Sequence, residues 1–263
     1  MIPQLGIGTF KLTDISILRP IIRTAVLNGY TLIDSATSYK NEEQIGQVLQ
    51  ELIEEGVIAR SDVFVTSKLK PADQGYDNCK RAVLESLSQL RLDYVDLYLI
   101  HWPGTQKVPL TDPRNAVNRH GSYRALIELQ QQGLIRHIGV SNFTVPHLEQ
   151  LRQEFPDHPP AVNQCEVHPL YQERELVQYC RDHGIFVQAY ASFGEGYLMQ
   201  EGLVPALDAL VNEHRTRAQI LLRWAWNKGY GILPMTTKPE RLLENLKFKT
   251  IELTQQEMET LDG

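Results

Sequence analysis

Four side chains stand out for what they can do together. Asp34 lies in the run TLIDSA, Tyr39 follows in the next loop, Lys68 ends VFVTSK and His101 ends VDLYLIH. A lysine inside an apolar run needs a partner, because an isolated buried charge is costly, and an aspartate at the same mouth would supply one. An ammonium close to a tyrosine favours the tyrosinate, so the phenol of Tyr39 is expected to fall below its ordinary pKa of about 10. A neutral His101 can donate a hydrogen bond to a substrate oxygen and fix its orientation. The set suits delivery of a proton to an oxygen that is gaining negative charge. Taken singly, each has an ordinary reading: a loop cap for Asp34 or Tyr39, a satisfied structural histidine for His101. The four together, on three successive apolar runs, point to a site.

Other chemistries find less in the chain. Its histidines are scattered, with no HExxH; Glu166 and His168 share one strand face but lack a third ligand, so no metal is expected. There is no GxSxG, and Cys79, Cys165 and Cys180 have neither CxxC spacing nor an obvious partner, which fits a reducing compartment. With 26 Lys+Arg against 32 Asp+Glu the net charge is −6, a poor basis for holding nucleic acid or an anionic membrane. No run approaches the roughly 20 apolar residues that span a bilayer, and MIPQLGIGTFKL lacks the basic start and apolar core of a signal peptide. The expectation is a cytoplasmic monomer.

The elements that must position the four residues repeat along the chain. Apolar or β-branched runs at 5–10, 31–36, 63–68, 95–101, 135–142, 161–168, 185–190 and 230–236 alternate with helical patterns, roughly 30 residues per unit. Ile45, Val48, Leu49 and Leu52 share one helical face that Gly56 ends; Val83, Leu84, Leu87 and Leu90 share another. Gly133, Gly184 and Gly229 stop further helices, and two helical stretches are expected near 201–213 and 216–228. Strands buried on both faces and alternating with helices predict a parallel sheet. Eight such units predict a (β/α)8 TIM barrel over residues 1–263, one domain with its site at the C-terminal strand ends. A doubly wound sheet would carry GxGxxG after its first strand, where this chain offers only Gly6 and Gly8. The polar residues at the run ends are then Thr9, Asp34, Lys68, His101, Ser141 with Asn142, Gln164, Tyr190 and Thr236.

In order, GTF, GYTLIDSATSYKNEEQIG, VFVTSKL, LDYVDLYLIHWP, GLIRHIGVSNF, AVNQCEVHP, QAYASFG and ILPMTTKPERLLEN closely resemble the motifs of the aldo-keto reductases, from about residue 3 to 261. The resemblance implies a barrel that binds an extended NADPH and reduces small aldehydes or ketones. It implies a catalytic tetrad of Asp34, Tyr39, Lys68 and His101, with Tyr39 the proton donor. It places the nicotinamide carboxamide on Ser141, Asn142 and Gln164, the ring on Tyr190, and the adenosine 2′-phosphate and adenine on Thr236, Arg241, Glu244 and Asn245. Thr9 joins the cofactor side, and Phe10 and Trp102 would wall the substrate pocket.

Two departures bear on these expectations. The family usually has Lys where this chain has Met235 and Ser where it has Thr236, although Arg241 remains and Lys238 is near. AYASFGEGYLMQEG replaces the usual Ser-Pro-Leu-Gly run after the stacking tyrosine, so the loop over the pyrophosphate is expected to differ. Both ends are short against the family pattern: the N-terminal hairpin is nearly absent, and without the usual C-terminal tail either the pocket is open and poorly selective or the chain is truncated. A second reading, a cofactor-binding barrel without catalysis, would have been favoured by loss of a tetrad member, and none is lost.

Overall fold

The computed structural model describes residues 1–263. Its strands are β1 (Gly6–Gly8), β2 (Leu32–Asp34), β3 (Phe64–Leu69), β4 (Val95–Ile100), β5 (Ile135–Ser141), β6 (Val162–Glu166), β7 (Phe186–Tyr190) and β8 (Gly231–Ile232). Each pairs in parallel with its neighbour in sequence. The ring closes from β8 back to β1: the Ile232 amide donates to the Gln4 carbonyl at 2.7 Å and the Gly8 amide to that of Pro234 at 3.1 Å. This is the expected (β/α)8 barrel, and every strand lies within its predicted run except β3, which extends one residue past it to Leu69.

Around the barrel lie α1 (Ile15–Leu27), α2 (Glu42–Glu54), α3 (Tyr76–Leu90), α4 (Arg114–Gln131), α5 (Val145–Glu154), α6 (Arg174–Asp182), α7 (Pro205–Asp208), α8 (Arg217–Asn227), α9 (Pro239–Leu246) and α10 (Gln255–Asp262). The main core fills the space between them and the barrel's outer face. No helix is long and apolar enough to cross a membrane.

Inside the barrel the side chains sort into layers. Alternate strand residues face the same side, so one inward row reads Phe64, Thr66, Lys68 and others read Val162, Gln164 and Phe186, Gln188. Leu97, Leu99 and Val162, with Phe64 and Phe186, form a separate apolar cluster at the N-terminal end. The polar members stand above it, at the C-terminal end. The apolar plug keeps water from below, which strengthens every charge interaction in the polar layer.

The close fit between α2 and α3 has one checkable consequence. A Cβ on Gly46 would lie 2.5 Å from the Gln89 carbonyl oxygen and 2.6 Å from the Leu90 carbonyl carbon, both backbone atoms. Gly46→Ala must therefore push the helices apart, at a cost of about 1–3 kcal/mol. For a chain of this size that lowers the thermal midpoint by roughly 2–4 °C per kcal/mol. Thermal denaturation checks it; an unchanged midpoint would contradict the packing.

One expected helix is corrected. Of 201–213 only the turn Pro205–Asp208 is helical. Its apolar residues are spaced for a helix, but Gly202 has φ +84° and Asn212 closes a local turn by accepting from the His214 amide at 2.9 Å. Those two turns leave room for a single helical turn, which begins at Pro205. The stretch near 216–228 is α8, opened by a capping box between Thr216 and Gln219.

Candidate active site

Lys68 is fully buried, and its ammonium donates to Asp34 Oδ1 at 2.6 Å, the Ser35 carbonyl at 2.8 Å and the Tyr39 hydroxyl at 3.2 Å. An ammonium has three donors, and all are engaged. Burial works against its charge, but Asp34 and Tyr39 together outweigh that, and the Lys68 pKa lies above the ordinary lysine value. The Tyr39 oxygen accepts from Lys68, which leaves its own O–H free to donate elsewhere.

Tyr39 is held by its neighbours. It ends a 3-10 turn, Thr37–Tyr39, whose Thr37 hydroxyl donates to the Lys68 carbonyl at 3.0 Å and accepts from the Lys70 amide at 3.2 Å. Just beyond the turn, the Asn41 amide donates to the carbonyls of Thr9 and Leu12, both at 2.9 Å, and its oxygen accepts from the Ser35 hydroxyl at 2.7 Å. Asp34 lies at the end of β2, and its carbonyl accepts from the Thr9 hydroxyl at 2.8 Å.

The expected direction of the Tyr39 pKa is corrected. Burial raises it; the Lys68 charge and hydrogen bond pull it down and Asp34 pushes it up, and the net shift is upward. The ammonium is a real downward influence, but Asp34 largely cancels its charge and desolvation of the phenolate outweighs what remains. Tyr39 is therefore a protonated phenol across the neutral range. His101 is pushed down to about 3, by burial first and then by the Lys68 charge, so its imidazole is neutral. Its Nδ1 lies 3.4 Å from the Ser38 hydroxyl.

The remaining predicted residues fall into three groups. Near the tetrad, the Tyr39 ring lies 5.0 Å from that of Phe10 and 5.8 Å from that of His101, and Trp102 stacks on His101 at 6.5 Å. Phe10 and Trp102 are about half exposed, so the mouth has open aromatic walls. On the next strands, Asn142 sits at φ +61°, a conformation asparagine tolerates. Its amide donates to the His101 carbonyl at 2.9 Å and the Ser141 hydroxyl at 3.1 Å, and its oxygen accepts from the Tyr190 hydroxyl at 2.8 Å. Gln164 is buried and donates to Asp34 Oδ2 at 2.7 Å. Beyond β8 lies a separate group, in which Thr236 is buried and caps the approach to α9 by accepting from the Lys238 amide at 3.1 Å. Arg241 and Glu244 are exposed on α9 and Asn245 is buried on its inner face. Thr9 is fully buried behind Asp34 rather than open at the mouth.

Three features escaped sequence reasoning. Gln188 donates nothing but accepts from Gln164, and alternation back from Tyr190 would have found it on the inward face. Asn41 had no signal, since Thr9 and Leu12 reach it only through the pairing of β1 with β2. An exposed pair, Lys11 with Glu195 at 3.2 Å, joins the loop after β1 to the loop after β7, and nothing in the sequence pairs these two surface charges.

Parallel strands closed in sequence order, with ionisable side chains gathered at one mouth, define a (β/α)8 enzyme. The chain belongs to the aldo/keto reductase family, whose family model matches residues 4–263. It is an oxidoreductase of a family that works with nicotinamide cofactors. The glyoxal reductase of Bacillus subtilis is 38% identical over 262 residues, spanning 99% of this chain and 88% of that protein. The methylglyoxal reductase DkgB of Escherichia coli O157:H7 is 34% identical over 252 residues, 96% of this chain and 89% of that one. The crystal structure of an aldo/keto reductase from Brucella melitensis superposes with a TM-score of 0.85 at 35% identity, covering 99% of this chain and 94% of its own.

Proposed function

We propose that this chain reduces small aldehydes and ketones to alcohols with NADPH, and that Tyr39 delivers the proton. The observation that carries the reading is the buried Lys68 ammonium, saturated by Asp34, Ser35 and Tyr39, which occupies the Tyr39 oxygen as an acceptor and leaves its own O–H free to donate. When bound, the reduced nicotinamide supplies hydride to the carbonyl carbon. Tyr39 gives its phenolic proton to the carbonyl oxygen as negative charge grows there, and Lys68 stabilises the tyrosinate that remains. Neutral His101 donates a hydrogen bond to the same oxygen and orients the carbonyl. Asp34 keeps Lys68 charged and in place.

The residues fit the cofactor by their chemistry. Ser141, Asn142 and Gln164 offer donors and acceptors to an amide, and Tyr190, tied by its hydroxyl to Asn142, offers a ring face. Arg241, exposed on α9, suits a phosphate, and Thr236, Glu244 and Asn245 are near it in sequence. Residues 1–263 act as one catalytic unit in this reading, a cytoplasmic monomer needing only its cofactor and carbonyl substrate. The named activities of the relatives make glyoxal and methylglyoxal the first substrates to assay, by loss of the reduced-nicotinamide absorbance. No turnover over a broad carbonyl panel would overturn the proposal.

Cofactor choice gives a separate prediction. A charge-assisted contact from Arg241 to the 2′-phosphate is worth about 1.5–3 kcal/mol, so kcat/KM should favour NADPH over NADH by roughly ten- to a hundredfold. Arg241→Ala should remove most of that ratio. Parity in the unmodified enzyme, or a preference for NADH, would contradict the assignment.

A further inference from the structure

The inward row of β7 places Gln188 beside Gln164 of β6, its partner in the sheet register. Both side chains are buried, Gln188 completely. The Gln164 amide nitrogen donates to Asp34 Oδ2 and to Gln188 Oε1, each at 2.7 Å. These contacts allow one arrangement of the two amides. A carboxylate only accepts, so the Gln164 atom against Asp34 must be nitrogen, and the Gln188 atom against that nitrogen must be oxygen. Turning the Gln164 amide over would set its oxygen against two acceptors. Turning Gln188 alone would set nitrogen against nitrogen.

The other half of the Gln188 amide is unused, since its nitrogen is buried with no partner. A methionine would fill a similar volume without an unpaired nitrogen, so packing alone does not call for an amide here. What the side chain contributes is its oxygen.

We propose that Gln188 is a positioning residue: Asp34 sets which end of the Gln164 amide faces it, and the Gln188 oxygen, holding the second N–H, fixes the tilt of that amide so that the Gln164 oxygen is aimed as an acceptor for the carboxamide N–H of the nicotinamide. The inference rests on the cofactor reading above. It assigns Gln164 a fixed sense of recognition, as acceptor and not donor, and ties cofactor recognition to the aspartate that holds Lys68.

The test uses protein fluorescence quenching to measure dissociation constants for three ligands on the unmodified chain and on Gln188→Met. They are NADPH, its reduced 3-acetylpyridine analogue, which keeps a carbonyl but has no carboxamide N–H, and adenosine 2′,5′-bisphosphate. One good hydrogen bond predicts that the unmodified chain binds NADPH about five- to tenfold more tightly than the analogue. In Gln188→Met the two should come within about twofold, because the Gln164 amide, then held by Asp34 alone, can swing about that single hydrogen bond and its oxygen loses its aim. The adenosine fragment should bind both proteins equally, which a general distortion would not permit. Gln188→Leu serves in the same comparison if the methionine variant does not accumulate folded. A variant that discriminates as the unmodified chain does, or that weakens for all three ligands alike, overturns the proposal. An unmodified chain that binds neither dinucleotide overturns the cofactor reading itself.

Discussion

Tyr39→Phe should lower kcat for carbonyl reduction by about a hundred- to ten-thousandfold, the range a positioned general acid contributes, with the cofactor dissociation constant little changed. The substitution removes one oxygen. Lys68 loses its longest contact, at 3.2 Å, and keeps those to Asp34 at 2.6 Å and Ser35 at 2.8 Å. The ring keeps its packing against Phe10 and His101. Fold and binding surfaces therefore persist while the acid is gone, and neutral His101 holds no surplus proton to replace it. Steady-state rates alongside fluorescence quenching separate the two effects; a kcat within about tenfold of the unmodified enzyme would remove Tyr39 from the proton-donor role.

Lys68→Met is expected to slow reduction by at least about a hundredfold, through the same tyrosine. Lys68 exerts both of the downward influences on the Tyr39 pKa, its charge and its hydrogen bond. Without them the pKa rises further. The sign matters for the pH profile. Tyr39 must be protonated to act, so activity falls as pH rises through its pKa, which already lies above the ordinary tyrosine value. In the variant that alkaline fall moves to still higher pH, and the weaker acid lowers the plateau. No inflection from His101 is expected near pH 6 to 7, because its pKa is held down at about 3. The variant also strands a buried carboxylate, at a cost of about 3–5 kcal/mol. Adding Asp34→Asn should restore much of that stability and none of the rate. A double variant that recovers the rate would show that Lys68 matters only as the counter-charge of Asp34.

The features legible in the sequence share a cause. Strands buried on both faces are unbroken apolar runs, and their ends are where a parallel barrel gathers polar groups. Asp34, Lys68 and His101 were legible for that reason, and Tyr39 because it follows Asp34 in the adjoining loop. The stretch 201–213 failed because apolar spacing reports which residues are buried, not whether turns at Gly202 and Asn212 cut the helix short. The Tyr39 pKa failed because charge pairing is visible in a sequence whereas depth of burial is not. Asn41 and Gln188 act on partners brought near by the pairing of neighbouring strands, β1 with β2 and β6 with β7.

Transfer of hydride from cofactor to carbonyl is the central claim, and label transfer tests it most directly. NADPH dideuterated at the nicotinamide C4 is incubated with methylglyoxal and the enzyme, and the alcohol is analysed by mass spectrometry and NMR. One deuterium per molecule of product is expected, on the carbon that was the carbonyl carbon. Alcohol formed without deuterium, or cofactor oxidised with no alcohol produced, would contradict it.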